Sequence, residues 1–406
     1  MKLLIVSAYL PSLSSAAGER NYHFLKALAQ QHSVSLLSLV DDATLAAAGD
    51  GALAELEELA HPVRLISHKI PGSKRWLQIQ TITRGRSYLL NLFALEEVQA
   101  ALDELFAHGR YDAVLFESVL MADYRLPAGV KTIIDQHNVE HELLQRTYEQ
   151  EKPGLRKWYN WREYQLVKRA ELERCRRADL VVVTSERERL ILRDLLPDTA
   201  IEVVRTGIDV DAYGGTYGEP EAPHQIVFTG TMNYFPNMDG ALYFAQACWP
   251  LIREQVPDAS WQIVGRNPTP EVQKLAELPG VTVTGAVPDV RPYLAASAVA
   301  VAPLRIGSGT RVKILEALAM RKAVVSTTIG YQGLAVESGK HLLIADQPEA
   351  FAQAVVELLH DPAERAALGN AGRTLVEDEY SWAQTRTRLV EVLDEFFSGC
   401  GDRAAV

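Results

Sequence analysis

Short, mostly apolar runs alternate with longer amphipathic segments along nearly the whole chain, and this alternation limits the fold more than any other feature. Leu3–Ser7, Ser33–Leu39, Val63–Ile66, Asp112–Phe116, Lys131–Ile134 and Leu180–Thr184 are too short for helices and too continuously apolar for a sheet with one wet face. Strands of that kind are buried on both faces, as in parallel sheets covered by helices. Between them, Glu19–Gln31 places Tyr22, Leu25, Leu28 and Ala29 at helical spacing, Ala94–Ala107 is helical, and a charged helix runs from about Gly154 to Arg177. Ser185, followed three residues later by Glu188, is a capping-box pattern that opens the next helix. The series breaks between Thr206 and Pro223, where Gly207, Gly214, Gly215, Gly218, Pro220 and Pro223 give the composition of a linker. It restarts with strands at Gln225–Phe228, Trp261–Val264, Val281–Thr284, Val299–Ala302 and Ala323–Ser326. Trp382–Phe397, with Leu389, Val390, Val392, Leu393, Phe396 and Phe397, reads as a closing amphipathic helix. The expectation is two doubly wound α/β domains, residues 1–205 and 206–384, followed by a C-terminal helix and tail at 385–406.

Composition removes several function classes. A formal charge of −11 lacks the basic excess of a general nucleic-acid binder, so no nucleic-acid partner is expected. Cys175, Cys248 and Cys400 are far apart with no C-x-x-C pair, which argues against a disulfide framework or thiolate zinc site and for a reducing compartment. The apolar N-terminus has no cleavage-site pattern before polar sequence begins and no run reaches membrane-spanning length, so a cytoplasmic protein is expected.

Ligands of open α/β sheets bind beyond the carboxyl ends of the strands. The most informative such loop is Pro303-Leu-Arg-Ile-Gly-Ser-Gly-Thr-Arg-Val-Lys-Ile-Leu-Glu316. Gly307, Gly309 and Thr310 lead into a helix start, where backbone N–H groups and the helix dipole favour an anion. Arg311 and Lys313 bring two cations, and Glu316, a turn later, suits a pair of vicinal hydroxyls such as those of a ribose. The same residues also read as a glycine-rich turn with solvated charges. The loop lacks the Gly-Lys-Ser/Thr of a Walker motif, and the stretch after the first strand offers only Gly18, so the dinucleotide fingerprint of a dehydrogenase is absent.

Phe228-Thr-Gly-Thr-Met-Asn-Tyr-Phe-Pro-Asn-Met-Asp-Gly, Ile263-Val-Gly-Arg, Val283-Thr-Gly-Ala-Val-Pro-Asp-Val-Arg, Gly309-Thr-Arg-Val-Lys-Ile-Leu-Glu-Ala-Leu-Ala and Ala323-Val-Val-Ser-Thr-Thr-Ile-Gly-Tyr-Gln-Gly-Leu occur in this order. Together they resemble the donor half of the retaining glycosyltransferases of family 4. The resemblance is weaker in the N-terminal half, through Ser14–Gly18, Asp135-Gln-His-Asn-Val-Glu140 and Thr206-Gly-Ile-Asp209. It implies the GT-B fold, two Rossmann-like domains facing across a cleft, with the C-terminal helix crossing back to the N-terminal domain. It also implies a UDP- or GDP-linked sugar donor, a glycan or lipid-linked acceptor, and no metal or other cofactor. Glu316 then matches the second acid of the family's E-x7-E motif. The first falls on Ser308, a departure that loses a charge-assisted contact to the donor sugar. The family's Arg and Lys after the first donor-domain strand are replaced by Thr231 and Asn237, leaving Arg311 and Lys313 to compensate on the diphosphate. Gly230, Gly265 and Gly285 end strands where the nucleotide approaches, with plain turn glycines as the other reading, and Val287 falls where base contacts are made.

In the N-terminal half the resemblance places His137 at the reaction centre, whereas a lone histidine by itself reads as structural. Gly18 is expected in a loop beside the donor phosphates, Glu19 near the acceptor, and Glu117 is a cleft acid or a surface one. His137 and His141, four apart, have no third ligand in the sequence, so no metal site is assigned. Two basic-aromatic segments, Lys69–Arg86 with Trp76, and Arg156–Arg177 with Trp158, Tyr159 and Trp161, suit peripheral contact with the inner face of a membrane. The competing reading of the second is a surface helix whose aromatics face the core, diluted by Glu163, Glu171 and Glu173. The function expected is sugar transfer from a nucleotide-sugar with retention of configuration. The alternatives are a non-hydrolysing nucleotide-sugar epimerase of the same fold and a non-catalytic nucleotide-sugar or glycan-binding subunit.

Overall fold

The computed structural model describes residues 1–13, 16–68, 74–215, 217–218, 220–307 and 309–403. Ser308 therefore lies outside the described residues. The chain divides into two units, Met1–Thr206 with Thr385–Val406, and Gly207–Gln384.

In the first unit, β1 (Lys2–Ser7), β2 (Ser33–Val40), β3 (Val63–Ser67), β4 (Ala113–Phe116), β5 (Lys131–Gln136), β6 (Leu180–Val183) and β7 (Ile201–Val203) form one parallel sheet. The strand order is β3-β2-β1-β4-β5-β6-β7, with Leu4 registered against Ser35 on one side and Val114 on the other. Both faces are covered, which explains the continuous apolar runs. Successive side chains of a strand point to opposite faces, so Leu3 and Ile5 enter one core with Phe24 and Leu28, and Leu4 and Val6 enter the other with Leu102 and Phe116.

The labelled helices are α1 (Ala16–Ala29), α2 (Lys74–Thr83), α3 (Glu140–Gln150), α4 (Leu155–Arg177), α5 (Phe235–Tyr243), α6 (Val312–Ala319) and α7 (Trp382–Arg403). Leu389, Val392 and Leu393 of α7 are fully buried in the core shared with Leu3 and Ile5, so the C-terminal helix completes the first unit.

The second unit carries a six-stranded parallel sheet, β8 (Ala222–Thr229), β9 (Ser260–Val264), β10 (Val281–Gly285), β11 (Ser297–Ala302), β12 (Ala323–Ser326) and β13 (Leu343–Ile344), in the order β10-β9-β8-β11-β12-β13. One face packs Phe228 and Trp261 with Phe244 and Phe351, and the other packs Val227 and Val264 with Ile314 and Leu318. In each sheet the order reverses once, between β1 and β4 and between β8 and β11. The connections leave such a point in opposite directions and open a crevice at the carboxyl ends of the strands.

Candidate functional site

In the second unit several of the residues singled out from the sequence lie where the strand order reverses, at the ends of β8 and β11. Lys313, in the first turn of α6, sends its Nζ to the carbonyl of Thr229 at 2.6 Å and to Asn237 Oδ1 at 2.6 Å, and lies 4.4 Å over the Phe228 ring. Burial, with Arg311 nearby, pulls its pKa down to about 7. Glycines make room for this. A Cβ on Gly230 would lie 2.6 Å from Asn237 Nδ2 and 2.7 Å from Lys313 Nζ, and one on Gly265 would lie 1.7 Å from the Gly230 carbonyl oxygen. Both glycines also have positive φ, 154° and 152°, as strands β8 and β9 turn outward side by side. One turn past Lys313, Glu316 accepts a hydrogen bond from the Tyr213 hydroxyl at 2.9 Å, and burial raises its pKa.

The loop after β11 bends at Gly307 (φ 141°) and Gly309 (φ 76°). Arg311 is buried beneath it, 7% exposed, and donates to the Gly309 carbonyl at 3.1 Å, so its guanidinium braces the loop from inside. The helix starts at Val312 with Arg311 as its cap, two residues later than Thr310. Gly285 ends β10, and Val287 packs against the core beneath α6. One cation was not foreseen. Arg266, beside Gly265, places its Nε 3.3 Å from Thr231 Oγ1. Arg266 thus stands against Thr231, and Lys313 against Asn237.

In the first unit, β4 and β5 run side by side and deliver Glu117 and His137 one residue past their ends. His137 Nε2 lies 3.0 Å from Asp135 Oδ2 and 3.5 Å from Glu117 Oε2. Arg20, from the first turns of α1, grips both Asp135 oxygens, with Nη2 at 2.6 Å and Nε at 2.8 Å. Asp135 and Glu117 are fully buried and Arg20 is 2% exposed. Burial opposes charge on both acids, but Arg20 and His137 hold the Asp135 carboxyl well below the usual range. Burial likewise opposes charge on His137, and Asp135 and Glu117 overcome it to raise the pKa to about 9. Glu117, where burial outweighs His137, rises to about 7. Glu117, Asp135 and His137 offer atoms within 4.8 Å of one another, but both Asp135 oxygens are already engaged, and the group is an internally compensated chain of alternating charges. His141 is separate, with its Nδ1 2.6 Å from Glu171 Oε2 in the interior.

Three expectations need correction. Gly18 is in no loop; it lies in the first turn of α1, buried, with its carbonyl accepting from Ser12 N at 3.0 Å. The preceding alanines are the strongest helix formers and carry the helix through the glycine. Glu19 follows it in the same turn, half-buried. Glu117 is a fully buried acid and its surface reading falls, because its N–H is bonded to the Val6 carbonyl at 3.0 Å and its carboxylate faces His137. The aromatics of α4 do not all face the core, as Trp158 and Trp161 are 49% and 44% exposed. Glu163 and Glu171, expected to dilute this surface, turn inward. Glu163 accepts from Ser87 Oγ and the Tyr88 N–H, and Glu171 accepts from the Glu140 and His141 N–H groups.

Alongside α4 lies α2, tied to it by Arg162 Nη2 on the Thr81 carbonyl at 3.1 Å, with Trp76 and Ile79 exposed. At the carboxyl ends of β1 and β2, a cavity of about 260 Å³ is lined mainly by apolar groups of Leu10, Leu39, Leu92 and Phe93, with Tyr9 and His68. The His68 and Phe93 rings stack with centroids 5.8 Å apart.

Two parallel doubly wound units, each with its distinctive groups at a strand-order reversal, define a class, the GT-B fold. The sucrose-phosphate synthase of Thermosynechococcus elongatus shares it with a TM-score of 0.67 at 16% identity, over 98% of this chain and 100% of that one. Anabaena HepE in complex with UDP shares it with a TM-score of 0.64 at 14% identity, over 97% and 100%. Residues 17–212 match Glycosyltransferase Family 4 and residues 223–361 match Glycosyl transferases group 1. The chain belongs to the family 4 glycosyltransferases. A GDP-mannose-dependent α-(1-6)-phosphatidylinositol monomannoside mannosyltransferase of Mycolicibacterium smegmatis is 33% identical over 159 residues, 36% of this chain and 42% of the relative. A GDP-mannose-dependent monoacylated α-(1-6)-phosphatidylinositol monomannoside mannosyltransferase of Corynebacterium glutamicum is 35% identical over 86 residues, 21% and 23%. The matches span less than half the length of these curated relatives. Among the described residues no helix is long and apolar enough to cross a membrane.

Proposed function

We propose that the protein transfers a sugar from a nucleotide-diphosphate donor to a glycan or lipid-linked acceptor, with retention of anomeric configuration. The observation that carries this is Lys313, half-buried at the β8–β11 reversal among glycines and held by two acceptors and an aromatic face, with Glu316 one turn behind it. A lysine whose charge is disfavoured by its surroundings gains most from an arriving diphosphate. Lys313 and Arg266 take the diphosphate on this reading, and Arg311 keeps the glycine loop in shape to receive it. Glu316 holds the ribose. His137, charged at neutral pH, donates a hydrogen bond to the donor sugar and stabilises negative charge on departure of the nucleotide. These side chains supply the positive charge, so the reaction is assigned without a metal ion, and turnover is expected to persist in EDTA.

The curated relatives are GDP-mannose-dependent and act on mannosylated lipids, and a structural neighbour binds UDP, so both bases belong in the test. For the acceptor, the apolar cavity at β1 and β2 suits a hydrocarbon segment. The exposed Trp76, Ile79, Leu155, Trp158 and Trp161, with the exposed Arg84, Arg86 and Arg156, suit contact with an anionic membrane face. The deciding experiment is a thermal-shift screen against UDP, GDP and their sugar conjugates. A ligand at 100 times its Kd adds about 2.7 kcal/mol of stability. A clear rise with one base is the expected result, and no rise with any of them removes the proposal.

A further inference from the structure

We propose that Arg20 and Glu117 are positioning residues that act through His137, an inference resting on the role given to His137 above. Arg20 is committed on every side. Its Nε and Nη2 clamp Asp135, Nη1 lies 3.2 Å from Thr206 Oγ1, Nη2 also donates to the Val204 carbonyl at 3.1 Å, and its guanidinium lies 4.2 Å over the Phe24 ring. It therefore ties α1 to the end of β5 and to the chain leaving β7, and it fixes the carboxylate that receives His137. Glu117 arrives from the neighbouring strand and closes on the same ring nitrogen.

A buried ion pair that served only the fold would be complete with Arg20 and Asp135. The second buried acid is set against a histidine that is itself 17% exposed, so the chain of charges leads outward from Arg20 to the surface. The ring is held by its Nε2 edge, and Nδ1 makes no hydrogen bond among the described residues. An imidazole fixed at one nitrogen and open at the other presents its free N–H in one direction. Arg20 and Glu117 are too deeply buried to touch a ligand, so their influence on a reaction passes through the ring. The charged groups facing His137 are Asp135 near the end of β5, Glu117 after β4, Arg20 from α1 and Glu140 at the start of α3, whose pKa burial and Glu171 raise to about 7.

The test uses the full chain with Glu117→Gln, Arg20→Lys and His137→Ala, singly and with each of the first two combined with the third. The His137 ring signal, assigned by its loss in His137→Ala, is titrated by NMR without any substrate. Glu117→Gln is expected to lower its midpoint by a pH unit or more. In turnover of the nucleotide-sugar that stabilises the protein, Glu117→Gln and Arg20→Lys are each expected to lower kcat tenfold or more, with donor KM within threefold. In the His137→Ala background neither substitution slows the enzyme further. An unmoved midpoint in Glu117→Gln overturns the proposal, as does a kcat loss of equal size with and without His137. Glutamine keeps the shape of Glu117, and lysine keeps the charge of Arg20 without its two-pronged grip on Asp135, so the thermal unfolding of each variant is measured before turnover is compared, and the Glu117→Gln titration stands independently of Arg20→Lys. If no nucleotide-sugar is turned over, the functional reading fails on its own while the titration still judges the positioning.

Discussion

At the scale of single residues, Lys313 is where donor binding and proton binding meet. Its pKa near 7 in the unliganded protein means that much of it is neutral at pH 8, while a bound diphosphate favours the charged form. Nucleotide binding at pH 8 is therefore expected to take up a proton, seen as a buffer-dependent enthalpy in calorimetry. Lys313→Ala should abolish that uptake and lower turnover by about 100-fold, the scale of losing one preorganised electrostatic contact. Turnover within a few-fold of wild type would falsify the phosphate assignment. His137 has the opposite sign of shift. Its folded pKa of about 9 lies above the unfolded value, so its contribution to stability is complete below about pH 6.5 and disappears as pH rises through 9. Urea unfolding of wild type and His137→Gln should differ most at pH 6 and converge by pH 10. The comparison between variants matters because Lys313 runs the other way, its cost greatest below pH 7 and fading as pH climbs. The motifs single out His137 and Lys313 in the sequence, but not which groups fold against them. Arg20 and Asp135 are 115 positions apart, and Lys313 and Thr229 are 84 apart. The faint signal for Arg20 was its place four and eight residues before Phe24 and Leu28, an arginine on the apolar stripe of α1.

At the scale of elements, most strands could be read because burial on both faces writes a continuous apolar run. The exceptions, β7 and β13, are three and two residues long, too short for a pattern to form. The start of α1 was misread because a single glycine was given more weight than its alanine neighbours. The outward face of α4 was visible only once Glu163 and Glu171 had found internal partners. The C-terminal helix gives the clearest prediction at this scale. Burying Leu389, Val392 and Leu393 contributes about 1.5–3 kcal/mol each, against a total domain stability of about 5–15 kcal/mol. Removal of residues 385–406 should cost the first unit its cooperative unfolding transition while the second keeps its own, as differential scanning calorimetry would resolve. Two transitions of undiminished size would show that α7 is dispensable.

At the scale of the whole molecule, the −11 charge describes the chain poorly, because exposed Trp76, Trp158 and Trp161 share one unit with a local excess of arginine. Sedimentation with vesicles containing an anionic phospholipid should be strong and fall with salt, and should be weak with neutral vesicles. Trp158→Ser combined with Trp161→Ser is expected to reduce it at least tenfold while leaving nucleotide stabilisation unchanged. Equal binding to both kinds of vesicle would remove the charge argument. The two units also differ in how the chain builds them. Gly207–Gln384 is continuous, whereas the other unit is assembled from two stretches separated by it. During translation the later-encoded unit is thus free to fold as soon as it emerges. The earlier-encoded one must wait for Leu393 to leave the ribosome, its sheet exposed on the face that α7 will cover. The half with the first-made strands is the last to finish, and it is the half in which a chaperone would find work.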